Sequence, residues 1–307
     1  MLSLALRRLL GAVPTLLVLV TLVFFLMRAA PGGPFDRERT LPPQIEARLA
    51  AEYRLDQPLW RQYLHYLGRL AHGDLGPSFQ YEGFTVGELI GSGAPVSAEL
   101  GGAALLLALL LGGGLGCAAA LARGSAVDRA LMLVSMLGIS VPNYVTAPLA
   151  ILLFAVLLNW LPAGGWSAHG MADAVLPVLA LALPQIAAIA RLTRASLLEV
   201  LGAGFIRAAR AHGLGEARVL LGHAFKPAAL PVLSYLGPAA AGILTGSVVV
   251  EQTFGIPGIG RYFVQGALNR DYTLVLGVVL FYGTLIVLFN LLVDLLYGWL
   301  DPRALPA

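Results

Sequence analysis

Charge is scarce in this sequence. Asp, Glu, Lys and Arg make up 12% of its 307 residues, against roughly 25% in a soluble domain. The shortfall is uneven, with short charged clusters separated by long charge-free apolar runs. That pattern excludes a large soluble core, which would carry charged residues every few positions. Cysteine is nearly absent. The single Cys117 lies inside an apolar run, which excludes an intrachain disulfide and a CxxC metal site. The five histidines (His65, His72, His169, His212 and His223) are scattered and give no HExxH spacing. Gly-x-Ser-x-Gly does not occur, and no histidine lies well inside an apolar run, so an intramembrane enzyme has neither a nucleophile with its base nor a metal site. The runs also lack the central ionisable residues that proton-coupled transport would want. No arginine-rich face interleaves with aromatics. The net charge of +3 and pI of about 9.2 therefore point to orientation in a membrane and not to nucleic acid.

What the sequence does have is apolar length. Six runs are each near the ~20 residues that cross ~30 Å of hydrocarbon at 1.5 Å per residue. They are Leu9–Met27, Leu100–Ala122, Ala130 to Leu158, Ala174–Ala190, Pro227–Val250 and Tyr272–Val293. Backbone groups in lipid need internal partners, and the runs show no period-two alternation, so the spans are expected to be helices. Arg7 and Arg8 before the first run imitate a secretory leader. The run itself exceeds the roughly 7–15 residues of an h-region, and an uncleaved first helix is expected.

Basic residues alternate between loops. Arg7, Arg8, Arg123, Arg129, Arg191, Arg194, Arg207, Arg210, Arg218, Lys226 and Arg303 fall on one side of a six-span chain. The opposite short loops hold only Arg261 and Arg270. The positive-inside rule then puts both termini in the cytoplasm. Three parts are expected: residues 1–28 with the first helix, an external insertion at 29–98, and a five-helix core at 99–307. The insertion is either a floppy linker or a small subdomain. For the subdomain speak Asp56 ahead of Pro58, and Leu59, Tyr63, Leu67 and Leu70 at helical spacing.

Within the core, Gly112, Gly113, Gly114 and Gly116, and the Gly242/Gly246 pair, read as close-packing positions. Four residues are candidates for a transport path: Ser140, Pro142, Asn143 and Asp294. Pro142 should kink the third span, either lining a path or as a packing bend. Asp294 has Asn290 one turn earlier and is either structural or path-lining. Phe254-Gly255-Ile256-Pro257-Gly258-Ile259-Gly260 reads as a tight, partly re-entrant turn. It is an external gate or delivery-protein contact, or else a rigid loop.

The most informative stretch runs from about 194 to 226. Phe205-Ile206-Arg207-Ala208-Ala209-Arg210-Ala211-His212-Gly213-Leu214-Gly215-Glu216 reads as a helix ending at Gly213, a turn, and a second helix feeding a span. Arg207 and Arg210 share a face, and Ala208 and Ala209 would let another surface approach closely. This segment resembles the "EAA" loop of ABC-transporter permeases, with Arg207-Ala208-Ala209, three residues, then Gly213. Arg replaces the family's Glu, and Pro227 falls nearer than Leu230-Pro231 to the expected downstream proline. Both departures are typical of the peptide/nickel branch. The resemblance covers nearly the whole chain. It includes Arg28–Gly32, Glu38–Pro43, Ala71–Phe79, Leu161–Trp166, Phe254–Gly260, Ala267–Tyr272 and Asp301–Arg303.

The resemblance implies an all-α type I ABC-importer permease fold with six transmembrane helices, set in the bacterial inner membrane. It implies an oligopeptide importer, with dipeptide or nickel permeases of the same family as the alternative. It also implies a heterodimer with a second homologous permease, two cytoplasmic ATPases that carry ATP and Mg, and a periplasmic peptide-binding protein. No cofactor is expected on this chain. Arg207, Ala208, Ala209, Arg210, Gly213, Leu214 and Glu216 would couple it to an ATPase.

Overall fold

The computed structural model describes residues 2–29, 33, 44, 48, 51, 53–166 and 170–300. Most of residues 31–34, all of 38–43, His169 and residues 301–303 lie outside them. The named helices are α1 (Leu2–Ala29), α2 (Leu59–Ala71), α3 (Val86–Leu121), α4 (Ala126–Ser140), α5 (Asn143–Ala150), α6 (Met171–Leu201), α7 (Gly204–Ala211), α8 (Glu216–Val219), α9 (Phe225–Phe254), α10 (Ile259–Leu268) and α11 (Tyr272–Leu300). Two π-helical stretches, Ile151–Leu157 and Leu220–Ala224, continue α5 and α8.

Among the described residues, five helices have the length and apolarity to cross a membrane: Leu6–Ala29, Val86–Leu121, Met171–Leu201, Glu216–Phe254 and Tyr272–Gly298. A sixth crossing exists if α4 and the segment Asn143–Leu157 count as one span. That pair is bent by 104°. The kink expected at Pro142 is thus a break: Val141 and Pro142 are extended, with ψ of 116° and 152°, and the helix restarts at Asn143. Proline supplies no N–H and disfavours α geometry in the residue before it.

Other boundaries moved as well. The helix expected from Leu100 begins at Val86, and the one expected to stop at Ala190 continues to Leu201. Charged residues do not end a helix. Nothing in Arg191–Leu201 breaks it before Gly202.

The chain divides into two compact units. One comprises residues 9–97 and 257–285; the other comprises 1–8, 98–256 and 286–307.

In the first unit, Val86, Leu89 and Ile90 of α3 pack with Ile259 and Tyr262 of α10 and Leu274 and Val278 of α11. Val20 and Phe24 of α1 pack with Tyr66 of α2 and Leu276 of α11, with Tyr63, Leu67 and Leu70 alongside. The inward stripe on α2 therefore holds for three of its four expected members. Leu59 points out, 49% exposed.

In the second unit, α6 packs on α4, α5 and α9. Apolar burial gains little between helices in lipid, so small residues and close backbones must hold them. Ala104 and Ala108 are fully buried on α3. A Cβ on Gly112 would lie 2.7 Å from the Ile186 carbonyl, and one on Gly116 2.5 Å from that of Ala190. Gly113 and Gly114 meet nothing within 4 Å, so the packing role of the cluster falls on two of its four glycines.

Candidate functional site

α7 is one short amphipathic helix. Ile206 and Ala209, one turn apart, are buried, whereas Arg207, Ala208 and Arg210 are exposed. The buried pair joins Leu197 of α6, Val219 of α8, Ala224 and Ala228. Ala209 was expected to meet another protein. Instead it is 7% exposed and turned into this chain's own core, so of the two motif alanines only Ala208 is exposed.

The helix ends in a Schellman turn. The Leu214 N–H donates to the Ala209 carbonyl (3.3 Å) and the Gly213 N–H to that of Arg210 (2.9 Å). Gly213 sits at φ +79°, a conformation that side-chain-bearing residues adopt only at a cost. Leu214 then packs against the Ile206/Ala209 cluster, as the motif's hydrophobic contact requires.

Gly215 caps α8, and a bidentate ion pair crosses the turn. Arg210 Nε donates to Glu216 Oε1 (2.7 Å) and Nη2 to Oε2 (3.1 Å). Two-point contact fixes orientation as well as distance. Four of the seven coupling candidates thus build the turn (Ala209, Arg210, Gly213 and Leu214), Glu216 braces it, and Arg207 and Ala208 stay on its outer face.

The longer helices beside the element are tied to one another at two points. The Ser196 hydroxyl on α6 donates to the Ala228 carbonyl of α9 (2.8 Å). Arg194, one turn before the end region of α6, forms a second bidentate pair with Asp128 of α4, at 2.6 and 2.7 Å. Asp128 is 3% exposed. It also accepts from the Gly124 N–H (3.0 Å), and its own N–H donates to Ser125 Oγ (3.2 Å). Asp128 was not singled out from the sequence. Its signal was there in Ser125-Ala126-Val127-Asp128, the Ser-x-x-acid pattern of a helix start.

The path candidates lie in the same unit. Ser140 closes α4, its hydroxyl donating to the Met136 carbonyl one turn back (2.9 Å). Asn143 opens α5 with its amide against Gly246 of α9, where a Cβ would sit 2.7 Å from Nδ2. Its Oδ1 is buried without a hydrogen-bond partner among the described residues. Gln185 of α6 repeats the arrangement, its amide against Gly242 and its Oε1 accepting from Tyr235 (2.9 Å). Asn290 of α11 does so a third time, against Gly237. The Gly242/Gly246 pair read as a helix-contact motif therefore makes room for carboxamides. Asp294 faces Arg8 of α1 at 2.9 Å.

The Phe254–Gly260 stretch is taken in two parts. In one unit, Gly255 ends α9 at φ +65°, and Ile256 donates to the Glu251 carbonyl (2.8 Å). The Phe254 carbonyl accepts from Gly165 (2.8 Å), bringing two distant motif stretches together. In the other unit, Gly258 lies against Gly93, and the Ile259 N–H donates to Ser97 Oγ (2.9 Å). Phe254, Ile256 and Ile259 are buried, as is Gly260, and Pro257 is partly covered.

Comparison with known proteins gives a consistent result. Residues 112–306 match the family described as "Binding-protein-dependent transport system inner membrane component". Residues 1–81 match the corresponding N-terminal family. The oligopeptide transport system permease protein OppB of Escherichia coli K12 is 52% identical over 303 residues, 99% of each chain. OppB of Haemophilus influenzae is 50% identical over the same extent. The dipeptide transport system permease protein DppB of Bacillus subtilis is 44% identical over 289 residues, 94% of this chain and 93% of the relative. A chain of the MetNI methionine ABC transporter, solved in inward-facing conformations, superposes with a TM-score of 0.54 at 18% identity. It covers 69% of this chain and 96% of that one, and shares the fold. On this family match and these full-length relatives, the chain belongs to the binding-protein-dependent transport system inner membrane components, and is a multi-pass permease that serves as a transport subunit and not as an enzyme.

Proposed function

We propose that this chain conducts oligopeptides across the bacterial inner membrane as one permease subunit of an ATP-driven importer. The observation that carries the reading is the 52% identity to an oligopeptide permease along 99% of both chains. Its partners are a second homologous permease, two cytoplasmic ATPases that hold ATP and Mg, and a periplasmic peptide-binding protein. The chain makes six crossings, the bent α4–α5 pair being one of them, with both termini in the cytoplasm. Residues 29–98 form a periplasmic insertion, and 99–307 form the core.

The α7–α8 turn supplies the coupling. Its outer face carries Arg207 and Ala208, and its inner face is welded to α6 and α9. A push on the outer face is therefore passed to membrane helices and not absorbed in a loose loop. ATP-driven closure of the ATPases shifts a two-state equilibrium between outward and inward access. The Phe254–Gly260 turn is the external gate. Ser140, Asn143 and Gln185 line the path, where carboxamides offer both donors and acceptors to a peptide backbone without binding any one side chain. Asp294, paired with Arg8, holds helices together.

Substrate is tested by deletion in an auxotroph. Growth on a tripeptide source of the required amino acid should stop, growth on the free amino acid should continue, and nickel-dependent enzyme activity should stay normal. Normal peptide use with lost nickel uptake would overturn the peptide reading.

Topology is tested with single cysteines in a Cys117→Ala background. Ser78 is unsuitable as a reporter because it is 3% exposed. Glu82 and Ala217 are exposed. With an impermeant maleimide on intact cells whose outer membrane has been permeabilised, Glu82→Cys should label and Ala217→Cys should not. Equal labelling would refute the six-crossing arrangement.

A further inference from the structure

The first unit contains a cavity of about 420 Å³ that none of the transport roles uses. Arg28, Arg54, Gln62, His65, Tyr66 and Arg69 line it, together with aromatic and apolar side chains. Three guanidiniums converge on it, and no carboxylate lines it among the described residues. Arg69 is neutralised by a bidentate pair with Asp74, at 2.8 and 3.0 Å. Arg28 and Arg54 form no ion pair among the described residues.

Each of these two cations is held in place. Arg28 Nε donates to Gln62 Oε1 (3.1 Å), and its guanidinium stacks 3.6 Å above the Phe24 ring. Gln62 is oriented in turn by bonds from its amide to the Leu55 and Gln57 carbonyls. Arg54 adopts a left-handed backbone, φ +57°, uncommon for a residue with a long side chain. Its Nη1 lies 3.2 Å from His65 Nδ1. Burial, with Arg54 and Arg69 close by, lowers the pKa of His65. The neutral ring then accepts from Arg54 and adds no charge of its own. Burial pushes the Tyr66 hydroxyl up to about 12, so it remains a neutral donor.

The position of the cavity says which anion it meets. Arg28 lies in the last turn of α1, where a membrane-crossing helix leaves the hydrocarbon. Leu22, Phe25 and Leu26 on the same turns are exposed, as are Trp60 and Leu64 of α2. α1 and α2 are joined by Phe25 against Tyr63, ring centres 5.5 Å apart, and Arg61 lies 5.1 Å from the centre of the Trp60 ring. Exposed Trp with apolar neighbours and arginine is the chemistry of a membrane–water interface. Guanidinium forks recognise phosphate oxygens there. We propose that this cavity binds the phosphate of a membrane phospholipid, held by Arg28 and Arg54, with the acyl chains along the exposed apolar face of α1 and α2. A peptide carboxylate is disfavoured because none of the proposed path residues lines the cavity, whereas exposed apolar side chains and Trp60 flank it on α1 and α2.

The test is native mass spectrometry of the full-length chain in a neutral maltoside detergent. It is titrated with dihexanoyl-phosphatidylglycerol, inorganic phosphate or trialanine. One lipid should bind saturably, with neither phosphate nor trialanine displacing it at equal concentration. Arg54→Gln should weaken binding about tenfold, the scale of one charge-assisted contact. Arg54 is exposed, so that variant should fold. Arg28→Lys keeps the charge but loses the fork, and should weaken binding as well. Unchanged lipid affinity in both variants would overturn the proposal. So would displacement by trialanine, which would make the cavity a peptide site, or inorganic phosphate binding as tightly as the lipid.

Discussion

Replacing Gly213 by valine is expected to abolish the proposed peptide uptake while the protein stays in the membrane at its normal level. Gly213 holds φ +79° at the turn between α7 and α8, and left-handed geometry costs an L-residue roughly 1–2 kcal/mol, more where the side chain is β-branched. Among the described residues, no atom beyond Gly213 and its two chain neighbours lies within 4 Å of the position a Cβ would take. The penalty is therefore one of backbone conformation and not of collision, and it is local. Its relief would unwind the Schellman turn, move Leu214 off the cluster it packs against, and misalign the Arg210–Glu216 clamp.

The outer face would then no longer be fixed to α6 and α9. ATP hydrolysis should continue without responding to loaded binding protein, or the ATPases should dissociate. Because the mechanism is conformational, Gly213→Asn should keep most of the transport, since Asn tolerates the left-handed region. Loss of transport in the Asn variant as severe as in the Val variant would mean that bulk, and not backbone, decides. Wild-type uptake by Gly213→Val at normal expression would mean that this turn is not the coupling element.

The two neighbouring alanines separate docking from folding. Ala208→Glu, on the exposed side, should lower transport with no loss of protein. Ala209→Glu buries a charge among Ile206, Val219 and Leu197 and should lower the amount of protein itself.

That difference between Ala208 and Ala209 was not legible in the sequence. Both are small, both fall in the same motif, and which one faces inward depends on where α7 meets α6 and α8. The spans were legible because lipid imposes a plain requirement, a long run with few charges. Their ends were not. Val86–Leu100 carries Glu88, Glu99, Gly93 and Pro95, which set nearly all of it in the external insertion and not in the span. Its Val86, Leu89 and Ile90 nevertheless fill the core of the first unit, and packing overrides propensity.

The cause of the break at Pro142 could be read from the residue, but its 104° magnitude is set by what α4 and α5 each pack against. Pairings distant in the chain were silent for the same reason. Arg194 counts in the sequence as one more charge on the basic side, and only the fold places it on Asp128. Gly242 and Gly246 have the spacing of a helix-contact motif, and the spacing alone does not say that amide side chains fill the space.

Asp271 is the position where a single substitution should cost the fold the most. Its carboxylate is fully buried. One oxygen accepts from the Ser78 hydroxyl and from the Phe79 and Gln80 N–H groups, at 2.9 and 3.0 Å for the two amides. The other accepts from the Leu274 N–H (3.0 Å) in the first turn of α11. One side chain thus fastens the segment before α3 to the start of α11 and caps that helix. Ser78 passes the contact on, its Oγ accepting from the Tyr81 N–H (2.9 Å).

Hydrogen bonds to a charged group are worth about 1.5–3 kcal/mol each, and a buried donor left without its acceptor costs about 1–3 kcal/mol. Asp271→Ala strands several donors at once, a loss of more than about 4 kcal/mol, in the range of the most damaging single substitutions. The expected result is a several-fold drop in steady-state protein, since destabilisation of even 1–2 kcal/mol changes cellular abundance. Asp271→Asn keeps one acceptor oxygen but turns an NH₂ towards the remaining donors, so it should also fail, though less completely. Ser78→Ala removes one donor and leaves the carboxylate its three backbone N–H partners, and should be the mildest. Membrane levels measured by immunoblot, with thermal aggregation in detergent, should follow that order. Near-normal levels for Asp271→Ala, or Ser78→Ala as damaging as Asp271→Ala, would show that the carboxylate is not what joins these two segments.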